Sequence, residues 1–151
     1  MRASLILALL ALTGLTACAA RTATDTAPSQ PEPAKVNPAL ENTYWKLIQL
    51  GENEQLVGKD KQEPHITLRP DQKRVAGTGG CNQLMGAYTL EGERLSFGKL
   101  AGTMMACAEG MEQEQAFADA LQRTVRWRIV AGKLELLDDS GAVRARFEAR
   151  D

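Results

Sequence analysis

The pattern of apolar and polar positions divides the chain into three zones. Residues 5–12 (LILALLAL) form an unbroken apolar run. Residues 19–40 hold four of the six prolines, Pro28, Pro31, Pro33 and Pro38, and no large apolar side chain before Val36. From about Asn42 onward, short alternating stretches predict strands at Tyr44–Ile48, His65–Leu68, Arg74–Thr78, Gly86–Leu90, Arg94–Phe97, Trp127–Val130, Leu134–Leu137 and Val143–Glu148. Turn residues punctuate them: Pro70-Asp71, Glu91-Gly92-Glu93, Ala131-Gly132 and Asp138-Asp139-Ser140-Gly141. Between the fifth and sixth of these strands the period changes. Glu109 to Val125 reads as one amphipathic helix with Met111, Ala118, Leu121 and Val125 on a buried stripe and Phe117 alongside. Glu109, Glu112 and Glu114 begin that helix and Arg123 and Arg126 end it, the arrangement that suits its dipole.

Strands joined by tight turns pair antiparallel, and one helix cannot cover both faces of so many. The expected fold is therefore α+β: a curled antiparallel sheet, or partly open barrel, of seven to eight short strands with the helix plugging or flanking it. The chain has 151 residues, enough for one ordinary domain. Its formal net charge is −1 and its basic residues are interspersed with acidic ones, which gives no case for nucleic acid as a partner.

The N-terminal run changes the picture. Eight apolar residues are too few to span a bilayer, but a basic start (Arg2), a short apolar stretch and then small residues have the layout of a secretory signal. It ends in Leu15-Thr16-Ala17-Cys18, which resembles a bacterial lipobox. That resemblance implies removal of residues 1–17 and lipidation of Cys18, with two or three acyl chains holding the protein to a membrane where one would not. Ala19, rather than Asp, after the cysteine hints at the outer membrane. Residues 18–41 then read as a lipidated N-terminus and Pro-rich tether, of which the 22 residues 19–40 would reach about 65 Å if extended. Residues 42–151 remain for the folded domain.

The folded part is similar to the META domain, the family of HslJ-like bacterial lipoproteins. The resemblance rests on Trp45-Lys46-Leu47, on Val75, Gly77, Gly80, Cys81 and Asn82, and on Tyr88 seven residues beyond the cysteine. It continues through Thr103, Met105, Ala106 and Cys107, then Glu114 and Phe117, then Trp127, and ends in Leu134, Leu136 and Asp138. It implies a small α+β domain of the bacterial envelope, linked to heat or antibiotic tolerance. It supplies no catalytic residues, ligand or cofactor. Trp45, Gly77, Gly80, Asn82, Thr103 and Phe117 are expected to be structural.

Four chemistries compete for the glycine- and cysteine-rich motifs AGTGGCN and MMAC. A phosphate loop needs a lysine after its last glycine, and Cys81-Asn82 stands there instead. A thiol nucleophile needs a base. The single histidine, His65, lies in a predicted strand as a surface or edge residue, though Cys107 does precede a helix. Met104, Met105, Met111 and the cysteines are ligands a soft metal would accept, but methionines more often fill gaps in a core. With Cys18 lipidated, two cysteines remain in an oxidising compartment, and Cys81 with Cys107 reads best as one disulfide. The helix glutamates read as a solvated face. The expectation is a non-enzymatic envelope protein, without metal or cofactor, held to the membrane through Cys18 and serving an envelope protein partner. The alternative is a periplasmic inhibitor or small-ligand-binding module.

Overall fold

The computed structural model describes residues 37–54 and 63–150. Cys18, the signal expected before it and the tether expected after it as far as residue 36 lie outside the described residues. Among the described residues the strands are β1 (Tyr44–Leu50), β2 (His65–Arg69), β3 (Arg74–Thr78), β4 (Gln83–Glu91), β5 (Arg94–Phe97), β6 (Ala101–Gly102), β7 (Arg126–Val130), β8 (Lys133–Leu137) and β9 (Val143–Arg150), with one helix, α1 (Met111–Gln122), between β6 and β7. All pairings are antiparallel. The order β3-β2-β1-β9-β8-β7-β5-β4 closes on itself through β3–β4, giving an eight-stranded barrel with β6 as an extra strand on β4. β4 is long enough to serve three partners. Its first half pairs with β3 and with β6, and its second half with β5.

Local chemistry explains the tight turns. Ala131 and Gly132 both take positive φ (51° and 76°) between the paired residues Val130 and Lys133. That is the backbone of a type I′ hairpin, whose twist matches that of its strands.

Inward positions alternate along the strands and meet in one core. Trp45, Leu47, Ile66, Leu68, Val75, Leu95, Leu134, Leu136 and Phe147 are fully or almost fully buried. α1 packs against β1, β5 and β9 and adds Phe117, Ala120 and Leu121 to that core. Phe117 lies with its ring centroid 6.2 Å from that of Phe147, within the range of favourable aromatic pairs.

Several expectations change at the helix. It spans Met111–Gln122, shorter at both ends than Glu109–Val125. Its N-cap is Gly110 with φ 85°, a left-handed conformation that breaks the helical path before Met111. The buried arc is Phe117, Ala120, Leu121 and Thr124, while Met111 and Val125 are exposed and Ala118 is half-buried. The stripe is displaced because the first turn faces a polar surface, described below. The methionines do not fill the core either: Met85, Met104, Met105 and Met111 are all exposed.

The folded unit also takes in residues read from sequence as tether. Leu40 is buried, and its carbonyl accepts a hydrogen bond from Trp45 Nε1 at 2.8 Å. Glu41 accepts one from the Tyr88 hydroxyl and is paired with Lys73 at 3.2 Å. On the outer face of the barrel, Arg128, Glu135 and Arg146 stand in register on β7, β8 and β9. Glu135 accepts from both arginines, at 2.6 Å from Arg128 Nε and 2.9 Å from Arg146 Nε. Arg146 goes on to donate to Gln49 on β1. Burial alone would push the Glu135 carboxyl up, but the two guanidiniums overcome it and hold it below the usual carboxylate value.

Candidate functional site

The residues the sequence singled out converge where β3 turns into β4, at the entrance to α1. β3 ends at Thr78, whose hydroxyl oxygen accepts from the Gly80 N–H at 3.0 Å and curls the chain back. Gly80 takes φ 118°, a region side chains disfavour. Gly79 leaves room for the helix: a Cβ there would lie 3.0 Å from Glu114 Oε2 and 3.1 Å from Glu114 Cα.

Glu114 uses that room. Its Oε2 accepts from the backbone N–H groups of both Cys81 and Asn82, each at 3.1 Å. Next to it, Gln113 Nε2 donates to the Gly79 carbonyl at 2.6 Å. The first turn of α1 therefore turns polar side chains inward, because what it packs against is bare backbone. Glu114 is not part of a solvated face.

Asn82, buried, ties the next segment down. Its Oδ1 accepts from Thr103 Oγ1 at 2.8 Å and from the Met105 N–H at 2.7 Å. Its Nδ2 donates to the Met105 carbonyl at 3.4 Å. Thr103 Oγ1 accepts in turn from the Gln83 N–H at 3.2 Å. The Cys81–Cys107 disulfide closes the assembly, with 6.2 Å between Cα atoms of cysteines 26 positions apart. Both sulfurs are bonded, so the site holds no thiol to act as nucleophile or ligand.

Of the other sequence-marked residues, Trp45 and Phe117 lie in the core. Gly77 sits mid-strand where β2 and β3 come together, and a Cβ there would lie 2.1 Å from the His65 carbonyl oxygen. His65 is on the outer face, stacked on Tyr44 with centroids 4.3 Å apart, and its Nδ1 is 2.9 Å from the Glu63 carbonyl oxygen. It lies on β2, whereas Cys81 is in the β3–β4 turn and Cys107 in the segment between β6 and α1. In the sequence Glu114 is legible as one of the glutamates at the helix start and in the spacing Glu114-x-x-Phe117, with no hint of what its carboxylate holds.

A cleft of about 660 Å³ opens beside this assembly, lined by Leu50, Asn53, Gly110, Met111, Glu112 and Ala116 among others.

The META domain pattern matches residues 38–151, which takes in the whole barrel and every motif residue just described. The chain belongs to the META domain family. A protein from Burkholderia xenovorans, solved by NMR, is similar to it in fold: 28% identity over 82% of this chain and 99% of that one, with a TM-score of 0.60. A second NMR structure matches at 21% identity, over 72% of this chain and 90% of that one, with a TM-score of 0.57, and shows the same fold. No curated protein matches the chain in sequence. In this META domain, the motif residues hold the β3–β4 turn, the segment after β6 and the start of α1 together.

Proposed function

We propose that this META domain protein is a lipid-anchored, non-enzymatic component of the bacterial envelope, supporting or binding an envelope protein partner under stress such as heat or antibiotic challenge. One observation carries the reading. Residues of the two cysteine motifs, the most specific part of the family pattern, are engaged with Glu114 in holding one another in place: Cys81 and Asn82 through Glu114, Asn82 through Thr103 and Met105, and Cys81 through Cys107. A set of groups that satisfies itself is suited to rigidity, whereas catalysis needs groups free to meet a substrate. The barrel interior is filled by Trp45, Phe117, Phe147 and the surrounding aliphatic residues, so partners meet this domain on its outside. The lipobox-like Leu15-Thr16-Ala17-Cys18 supports the anchor, and the proline-rich segment supports a tether that lifts the barrel off the membrane.

The cleft beside the helix entrance favours a second reading, a small-ligand-binding module, because concave surfaces with a few polar groups are where small molecules bind. Purification of the full-length protein from native membranes separates the two. Recovery of a defined envelope complex supports the first reading, and a retained small molecule supports the second. The anchor is tested by Cys18→Ala. If that variant fractionates with membranes as the wild type does, with no unprocessed form accumulating, the lipoprotein reading fails.

A further inference from the structure

Methionine is ordinarily among the more buried residue types. Here every methionine of the described residues is exposed: Met104 is 99% exposed, Met85 50%, Met111 46% and Met105 44%. Three of the four belong to the segment that the disulfide ties to the β3–β4 turn. Met111 Sδ lies 3.9 Å from Cys81 Sγ, and the Met105 carbonyl oxygen lies 3.8 Å from the same sulfur. Cys81 itself is 1% exposed. The four methionine side chains thus meet solvent, with the Met111 thioether against the buried Cys81 sulfur, while Cys107 is half-buried.

Chemistry orders the two sulfur types in the same way. The lone pairs of a dialkyl sulfide are more nucleophilic than those of a disulfide, where the neighbouring sulfur withdraws electron density. A thioether is oxidised to the sulfoxide by two-electron oxidants. The harm such oxidation does comes from making a packed apolar side chain polar, and a side chain already in water has little packing to lose.

We propose that Met104, Met105 and Met111 form an oxidant-scavenging shell that intercepts hypohalous acids before they reach the Cys81–Cys107 crosslink. With hypochlorous acid, each thioether sulfur gives up two electrons and gains the oxygen. The O–Cl bond breaks, chlorine leaves as chloride and the proton passes to water. The product is methionine sulfoxide on a barrel whose disulfide is intact.

The core runs from Leu40 to Phe147, so residues 38–151 carry the complete barrel and serve for the test. The wild type and the variant Met104→Leu/Met105→Leu/Met111→Leu are titrated with hypochlorous acid and mapped by peptide mass. Met85, unchanged in both, reports the oxidant dose that reaches the protein. In the wild type, sulfoxides at the three methionines are expected before any oxide at Cys81 or Cys107. In the variant, cystine oxidation is expected at about threefold lower oxidant for equal Met85 oxidation. Cystine oxidation at the same dose in both proteins overturns the proposal. So does a wild type in which cystine oxides precede the sulfoxides, a reading that does not depend on the variant folding.

Discussion

The carboxylate of Glu114, one turn into the helix, holds the backbone N–H of Cys81 on the far side of the barrel closure at 3.1 Å, and takes the Asn82 N–H at the same distance. Both donors belong to residues that are buried, so water cannot replace the carboxylate. Glu114→Ala strands two buried N–H groups and is expected to cost about 3 kcal/mol of stability, since bonds to charged groups are the stronger kind. Glu114→Gln keeps an oxygen acceptor without the charge and is expected to cost about 1 kcal/mol. Urea denaturation of the oxidised domain checks both. A Glu114→Ala variant with the wild-type midpoint would show that the helix entrance is held by something else.

The disulfide closes a loop between positions 26 residues apart. Reducing it restores freedom chiefly to the unfolded chain, and in the chain-entropy treatment a loop of that length is worth about 3.5 kcal/mol. The Cys81→Ala/Cys107→Ala variant is expected to lose about that much, with the loss showing in the urea midpoint. Adding reductant is expected to lower the wild-type midpoint and leave the variant unchanged. If reductant shifts both proteins equally, its effect is not on this bond.

Much of the architecture was readable because strand alternation and turn residues are local signals. The eight barrel strands each announced themselves by period, and Ala131-Gly132 announced its hairpin. β6 did not, because two residues, Ala101 and Gly102, carry no period. The helix stripe was misplaced for a different reason. Gln113 and Glu114 are polar, so a reading that seeks apolar neighbours turns them outward, yet they face inward to meet backbone N–H and C=O groups. Glu41 and Tyr88 are 47 positions apart, and Arg146 lies 97 from Gln49. Nothing in either neighbourhood foretells such pairs, which exist only once the register of the barrel is fixed. Leu40 and Glu41 read as tether because the prolines before them dominate the local composition, while their partners Trp45 and Tyr88 lie elsewhere in the fold.

The Glu41–Tyr88 contact makes stability depend on pH at both ends. The Tyr88 hydroxyl, together with Lys73, holds the Glu41 carboxyl below its ordinary value of 4.5. A depressed carboxyl stabilises the fold above its unfolded pKa, and that contribution is lost as pH falls through the folded value. Burial first, and the Glu41 carboxylate second, push the Tyr88 phenol above its ordinary value of 10.0. A raised phenol stabilises below pH 10.0, and that contribution is lost as pH climbs toward the folded value. Tyr88→Phe is expected to lower stability near neutrality by about 1 kcal/mol and to flatten the decline at both extremes. Urea midpoints across the pH range check it. Curves for the two proteins that run parallel from acid to alkali would exclude the coupling.

Gly77 separates two explanations of why glycine recurs in this domain. It pairs with Ile66 on one side and Leu84 on the other, in the middle of the sheet. A Cβ there would lie 2.1 Å from the His65 carbonyl oxygen and 3.0 Å from Ile66 Cα, both backbone atoms that cannot rotate away. Gly92, in the β4–β5 turn, has φ +59° with nothing within 4 Å of a Cβ. The first glycine is required by close approach and the second only by backbone angle. Gly92→Ala is expected to cost about 1–2 kcal/mol, the strain of a left-handed residue. Gly77→Ala must push β2 and β3 apart, and is expected to cost more than about 3 kcal/mol. Thermal melts of the two variants decide it, with Gly77→Ala melting far lower or failing to fold. If it melts at or above Gly92→Ala, the β2–β3 contact has room that the 2.1 Å approach denies.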